Sequence, residues 1–235
     1  GSGFTSGDPR EAVMGEGGLT LYSYWRSSAA YRVRIALNLK GLDYELAPVH
    51  LVRDGGEQHA AGYRNLNPQG LVPTLRHGQR LVRQSLAIIE YLDESFPAPP
   101  LLPATARERA HVRALAQLIA CDVHPLGNLR VLQQLEKDFG ASPAQREAWN
   151  RHWMALGLEA FESLLAASAS TGAFCAGERP GLADCVLVPQ LYNARRFDLD
   201  LAPYPTLSAI DARCRALAPF QDAAPERQPD APPSA

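Results

Sequence analysis

The chain has 235 residues, 46% hydrophobic and 20% charged, with a formal net charge of −2. That balance suits a globular chain with a substantial core in one large domain or two modest ones, and it lacks the basic footprint of a nucleic-acid binder. No apolar run approaches the roughly 18 residues of a membrane span and nothing resembles a signal peptide, so a cytoplasmic protein with no nucleic-acid or membrane partner is expected.

Residues 1–18, rich in Gly, Ser and charge, read as an expression-tag remnant and native start, disordered and outside the fold. The run L-T-L-Y-S-Y at 19–24 alternates like a strand, and residues 28–40 carry apolar positions at Ala29, Val33, Ala36, Leu37 and Leu39 before Gly41, which is a helix and its stop. A second strand is expected over 44–51. Two short strands, 72–76 and 80–83, follow across a turn at His77-Gly78, and a helix opens at Ser85. Strand, helix, strand, hairpin and helix make a small mixed sheet with a parallel βαβ unit in front, assigned to residues 19–96.

F-P-A-P-P-L-L-P at 96–103 holds four prolines in eight residues, too many for a helix or a central strand. The linker is placed at 97–104. From there the periodicity is helical, with apolar stripes over 112–135, 149–165, 182–192 and 207–217, so residues 105–220 are expected to form an all-helical domain. The proline-rich end, 221–235, reads as an extended or disordered tail. Cys121, Cys175, Cys185 and Cys214 form no C-x-x-C pair and no zinc-like spacing with the histidines, so no metal site is expected.

Chemistry concentrates where strands meet helices. In W-R-S-S-A-A-Y, Ser27 and Ser28 open a helix beside Arg26. A serine there ordinarily caps the helix. The same end also presents free N–H groups and a partial positive charge, so an anion such as a thiolate placed there is stabilised, with a hydroxyl as one more donor. Val72-Pro73 at the start of a strand suits a cis peptide that leaves Val72 free to pair with an extended, peptide-like ligand. Gln84 and Ser85 repeat the helix-end arrangement, this time for a carboxylate.

These elements in this order resemble the glutathione transferases, whose fold is an α/β thioredoxin-like N-terminal domain followed by an all-α C-terminal domain. The runs S-S-x-x-x-R-V-R-I-A-L, D-G-G-E-Q-H, N-P-Q-G-L-V-P-T-L, Q-S-L-A-I-I-E-Y-L and L-V-P-Q-x-x-N-A-R-R-F narrow the resemblance to the zeta class, which includes maleylacetoacetate isomerase and has the bacterial maleylpyruvate isomerases as close relatives. The resemblance implies glutathione as cofactor, with Ser27 bonding its sulfur and Ser28 at the adjoining helix start. It also implies Val72 and Pro73 on the cysteinyl backbone, Gln84 and Ser85 on the γ-glutamyl end, and Gln58 reaching in from a loop. The family commonly shows S-S-C where this chain has Ala29, which leaves glutathione as the only thiol at the site, and Gly181 stands where relatives often have a threonine cap.

The chemistry implied is reversible thiolate addition to a cis-enedioic acid, which frees rotation and ends in the trans isomer. An ordinary thiol has a pKa of about 8.5, and lowering it by about two requires ~2.7 kcal/mol in favour of the anion. A small dicarboxylate needs cations or donors at its ends. Arg26 and Arg196 are the arginines favoured, Arg195 less so. Gln117, Cys121, His124 and Asn128 recur at helical spacing as a polar stripe on a helix that Pro125 should bend, and the H-P-x-x-N pattern resembles the bacterial isomerases, so His124 and Asn128 are expected to line a substrate cleft. Related readings are α-haloacid turnover and a non-catalytic glutathione-binding protein. The family further implies a homodimer.

Overall fold

Leu19, Leu21 and Ser23 point inward and Thr20 and Tyr22 are half-buried in the first strand, β1 (Leu19–Ser23), of the computed structural model, which describes residues 17–233. The expected N-terminal remnant therefore lies, apart from Gly17 and Gly18, outside the described residues. β1 pairs in parallel with β2 (Glu45–Pro48) and antiparallel with β3 (Thr74–His77), which turns back into β4 (Arg80–Arg83). The sheet order is β2-β1-β3-β4.

Between β1 and β2 runs α1 (Ser28–Leu39). Gly41 follows it at φ +62°, a left-handed position that glycine takes without Cβ strain. After β2 come two single turns, Arg53–Gly55 and Glu57–His59, then α2 (Ala61–Leu66). α3 (Ser85–Ser95) packs on α1, β3 and β4. Leu21, Val33, Ala36, Leu37, Leu75, Ile88, Ile89 and Leu92 are sealed from solvent between the sheet and these two helices. Each leucine, isoleucine and valine among them stabilises the fold by about 1.5–3 kcal/mol. At the end of α1, buried Lys40 donates to the Phe96 and Pro99 carbonyls at 2.7 and 2.8 Å and pairs with Asp93 at 2.7 Å, fixing the start of the proline-rich segment.

The chain divides into two units, residues 100–221 forming the second. Its helices are α4 (Ala106–Asp122), α5 (Leu129–Phe139), α6 (Pro143–Ala167), α7 (Leu182–Arg196) and α8 (Pro205–Arg215). α7 is buried on nearly every face from Leu182 to Leu191, and α4 and α8 pack on it. Such all-round burial marks a central helix. Thr105 caps α4, and Ser142 caps α6 with Gln145 closing a capping box.

Two expectations are corrected. The stripe from Gln117 to Asn128 does not lie on one bent helix. Pro125 lacks an N–H and its ring displaces the preceding turn, so α4 ends at Asp122, His124–Gly127 form a 3-10 turn, and Asn128 caps α5. Gln117 and Cys121 are exposed rather than part of a shared polar lining.

The expected tail is also ordered. α9 (Ala218–Ala223) and a turn at Pro225–Arg227 carry the chain on, and residues 222–233 belong to the first unit. Few of these residues are apolar. Polar partners hold the segment instead: the Arg34 Nε donates to the Ala223 carbonyl at 3.0 Å, and Gln228, 7% exposed, donates to the Asp222 and Ala224 carbonyls at 2.9 Å each.

Candidate functional site

Ser27 has extended backbone, φ −66° and ψ 118°, and its Oγ accepts from the Ala30 N–H at 3.2 Å. It is a cap. A hydroxyl has two lone pairs and one proton, so accepting from Ala30 leaves the proton to donate outward. The capping and anion-binding readings are therefore compatible in one side chain. Ser28, half-buried, is the first residue of α1, and Arg26 lays its guanidinium 5.4 Å above the Trp25 ring.

The loop before Ser27 rests on Arg34, which is fully buried. Its Nη1 donates to Ser23 Oγ at 3.2 Å and to the Tyr24 carbonyl at 3.4 Å, and its Nη2 donates to the Trp25 carbonyl at 2.9 Å. A permanent positive charge thus lies under the residues that deliver Ser27.

Val72 joins Tyr24, Val49 and Tyr63 in one apolar cluster, with Trp25 and Leu51 packed against it. The Val72-Pro73 peptide is cis. The turn before it is fixed through the Leu71 carbonyl, which accepts from Tyr63 Oη at 2.6 Å and Asn67 Nδ2 at 2.8 Å. Among the described residues no protein group bonds the Val72 backbone N–H or C=O. Gln58 is 8% exposed, gives its Nε2 to the Leu51 carbonyl at 3.2 Å, and keeps Oε1 buried with no protein donor.

Gln84 sits at φ 73° and ψ 122°, outside the usual range for a residue with a side chain, so the surrounding structure must over-determine it. No side chain caps α3, and its first N–H groups stay open to an anion. Ser85 is buried and its Oγ accepts from Arg32 Nη1 at 3.1 Å, which leaves its own proton to donate beside a guanidinium. The first unit thus gathers Ser27, Gln58, Val72, Gln84 and Ser85 onto two helix starts and two loops.

In the second unit Asn128 accepts from the Leu129 N–H at 2.8 Å and leaves its NH2 to donate; His124, half-buried, is the first residue of the 3-10 turn. Arg195 is committed to Asp211, which is fully buried and also takes Arg215. Arg196 is exposed, with its guanidinium over the Phe197 ring at 5.1 Å.

Sequence reasoning missed the supports. Arg32, Gln69 and Glu57 each fix a predicted residue or its loop: Arg32 on Ser85, Gln69 Oε1 accepting from Gln84 Nε2 at 2.9 Å, and Glu57 next to Gln58. The signal that could have found two of the supports is a pair of charges, Arg32 and Arg34, in an otherwise apolar stretch of α1, two positions apart and so on different sides of the helix. The Glu57 carboxylate accepts from the His50 N–H at 2.7 Å and from Arg53 Nη2 at 2.5 Å, and these bonds hold its carboxyl below the usual range. A lowered acid stabilises above its ordinary value and loses that effect as pH falls through the lowered one. The Glu57 carboxyl-carbon chemical shift is therefore expected to stay constant down to the ordinary carboxylate range and to move below it, and Arg53→Gln, which removes one of the two donors, brings that titration back up.

The thiols lie elsewhere. Cys121 is exposed, and Cys175, Cys185 and Cys214 are buried in the second unit. Burial and then the nearby Asp184 push the Cys175 and Cys214 thiols up, so neither offers a thiolate. Gly181 is explained by a close approach: a Cβ there would stand 2.6 Å from the Leu101 carbonyl oxygen.

Residues 21–100 match the family model of the glutathione S-transferase N-terminal domain. A probable maleylacetoacetate isomerase of Vibrio cholerae is 55% identical over 91% of this chain and 98% of its own length. The holo structure of a maleylpyruvate isomerase, described as a bacterial zeta-class glutathione S-transferase, aligns with TM-score 0.88 and 49% identity over 91% of this chain and 100% of that one. The maleylacetoacetate isomerase of Anaeromyxobacter dehalogenans, solved with dicarboxyethyl glutathione and citrate in its active site, aligns with TM-score 0.82 and 49% identity over 92% and 98% of the two chains.

Proposed function

Because the chain belongs to the zeta class of glutathione transferases, the family of the maleylacetoacetate and maleylpyruvate isomerases, we propose that it converts maleylacetoacetate to fumarylacetoacetate with glutathione as cofactor. The observation that carries the reading is Ser27: its Oγ accepts from Ala30 at the start of α1 and keeps its proton for an anion there. The other residues suit a tripeptide. Gln58 offers a buried acceptor without a protein donor, the Val72 backbone offers a strand-like pair, and the uncapped start of α3 with Ser85 and Arg32 offers an anion site.

Glutathione bound there supplies the thiolate that adds to the electron-poor double bond of the diacid and leaves once the carbon–carbon bond has turned. Ser27 holds its proton toward that sulfur. Ser28 and the α1 N–H groups add dipolar stabilisation, and Arg34 below the loop adds positive charge. The candidates for the anionic ends of the substrate are Arg26 in the first unit and, in the second, Arg196 with His124 and Asn128 as further donors. Support for a dicarboxylate comes from the adduct and citrate in the Anaeromyxobacter relative. The proposed assembly is a homodimer in the cytoplasm.

A second reading, maleylpyruvate as substrate, is favoured by the equal 49% identity of the maleylpyruvate and maleylacetoacetate isomerase structures. Parallel assays of the two diacids with glutathione decide between them by the larger kcat/KM. No glutathione-dependent isomerisation of either overturns both. Arg196→Gln is expected to raise the diacid KM about tenfold, whereas Arg195→Gln, which strips a partner from buried Asp211, lowers the melting temperature.

A further inference from the structure

The C-terminal segment lies against the loop that delivers Ser27. The Trp25 N–H donates to Asp230 Oδ2 at 2.8 Å, across 205 residues of chain. The Trp25 carbonyl accepts from Arg34 Nη2 at 2.9 Å, and the Nε of the same guanidinium donates to the Ala223 carbonyl at 3.0 Å. Both polar groups of the Trp25 backbone are thus bound either to the segment or to an arginine that the segment helps to hold. Gln228 folds the segment on itself by bonding the Asp222 and Ala224 carbonyls, and the Ala231 N–H returns to the Gln228 carbonyl at 3.0 Å.

The displacement that matters is small. Ser27 is two residues from Trp25, and its own N–H bonds the Tyr24 carbonyl at 3.0 Å, so Tyr24 to Ser27 form one tight turn. If Trp25 shifts, the turn shifts with it, and the hydroxyl proton of Ser27 no longer points where the helix N–H groups converge. Hydrogen-bond stabilisation of an anion falls steeply with misalignment.

Resting on the assignment of Ser27 as donor to the glutathione sulfur, we propose that residues 222–230 are a strap that fixes the Ser27 turn, with Asp230 as a positioning residue acting through Trp25. Asp230 carries a negative charge, which by itself opposes a nearby thiolate. Geometry and charge therefore predict opposite signs. Removing the acceptor in Asp230→Ala raises the thiol pKa of bound glutathione if the strap positions Ser27, and lowers it if the charge dominates. Asp230→Asn keeps an oxygen that can accept from Trp25 and discards the charge.

The test is the ultraviolet thiolate absorbance of glutathione bound to the full-length protein, titrated against pH, with kcat and KM for glutathione measured alongside. The expected result is a thiol pKa raised by about one in Asp230→Ala, a kcat at neutral pH lower by up to about tenfold, a glutathione KM changed less than kcat, and recovery of all three in Asp230→Asn. An unchanged thiol pKa in Asp230→Ala overturns the proposal, as does a lowered pKa in both variants. Loss of folding in Asp230→Ala also overturns it, because the segment is then a folding element and not a positioning one. An unmodified protein that leaves the glutathione thiol at its solution pKa refutes the assignment of Ser27 itself, an outcome distinct from the others.

Discussion

Ser27→Ala is expected to raise the thiol pKa of bound glutathione by about 1–2 and to lower isomerase turnover at neutral pH by about 10–100-fold, because one charge-assisted hydrogen bond contributes roughly 1.5–3 kcal/mol. The same substitution removes a cap. The Ala30 N–H loses its acceptor at 3.2 Å, which costs about 1 kcal/mol of stability and a few degrees in melting temperature. The two losses are separable by experiment. Thiolate absorbance reads the donor, thermal unfolding reads the cap, and turnover at a pH well above the new thiol pKa recovers most of the rate if the donor matters through ionisation. Ser28→Ala keeps the Ser27 cap and is expected to move both readouts less. A Ser27→Ala protein with an unshifted thiol pKa would remove Ser27 from the chemistry and leave it a capping residue only.

That both roles fall to one side chain explains what the sequence could reveal at this point and what it could not. The strand-to-helix junction, the serine pair and the cis Val72-Pro73 peptide follow from local rules of period, capping and turn chemistry, and the structure has each of them. The supports do not follow from local rules. Asp230 reaches Trp25 across 205 residues, and no periodicity marks an aspartate in a proline-rich end as a partner for a distant backbone N–H. The expectation of a disordered tail failed for the same reason: it weighed apolar content, whereas this segment is held by Arg34 and by Gln228. The break between α4 and α5 was legible in part. Pro125 signalled a bend, but the stripe continued beyond it at helical spacing, and only the observed geometry shows Asn128 starting a new helix.

Asp184→Ala is expected to be the most destabilising single change in the second unit. Asp184, 1% exposed, accepts from the Gly181 N–H at 2.9 Å and from the Cys175 N–H at 3.0 Å, so one carboxylate secures both the start of the central helix α7 and the loop before it. Removal strands two backbone donors inside the protein. At about 1–3 kcal/mol each, the cost is roughly 2–6 kcal/mol, and at about 2–4 °C per kcal/mol for a chain of this size the melting temperature falls by about 4–24 °C. Asp184→Asn keeps one acceptor oxygen and brings an NH2 that faces a second donor, so it is expected to fall between the alanine variant and the unmodified protein. Burial, opposed by these two backbone donors, pushes the Asp184 carboxyl above its ordinary value. A raised acid contributes its stability below the ordinary carboxylate pKa and loses it as pH rises through the raised one. Urea unfolding of the two proteins across that window should therefore show the gap between them narrowing as pH rises, yet persisting at neutral pH because the donors are stranded at every pH. A gap that widens instead would mean that the ionised carboxylate is favoured by its site, and that its two hydrogen bonds outweigh the burial of its charge.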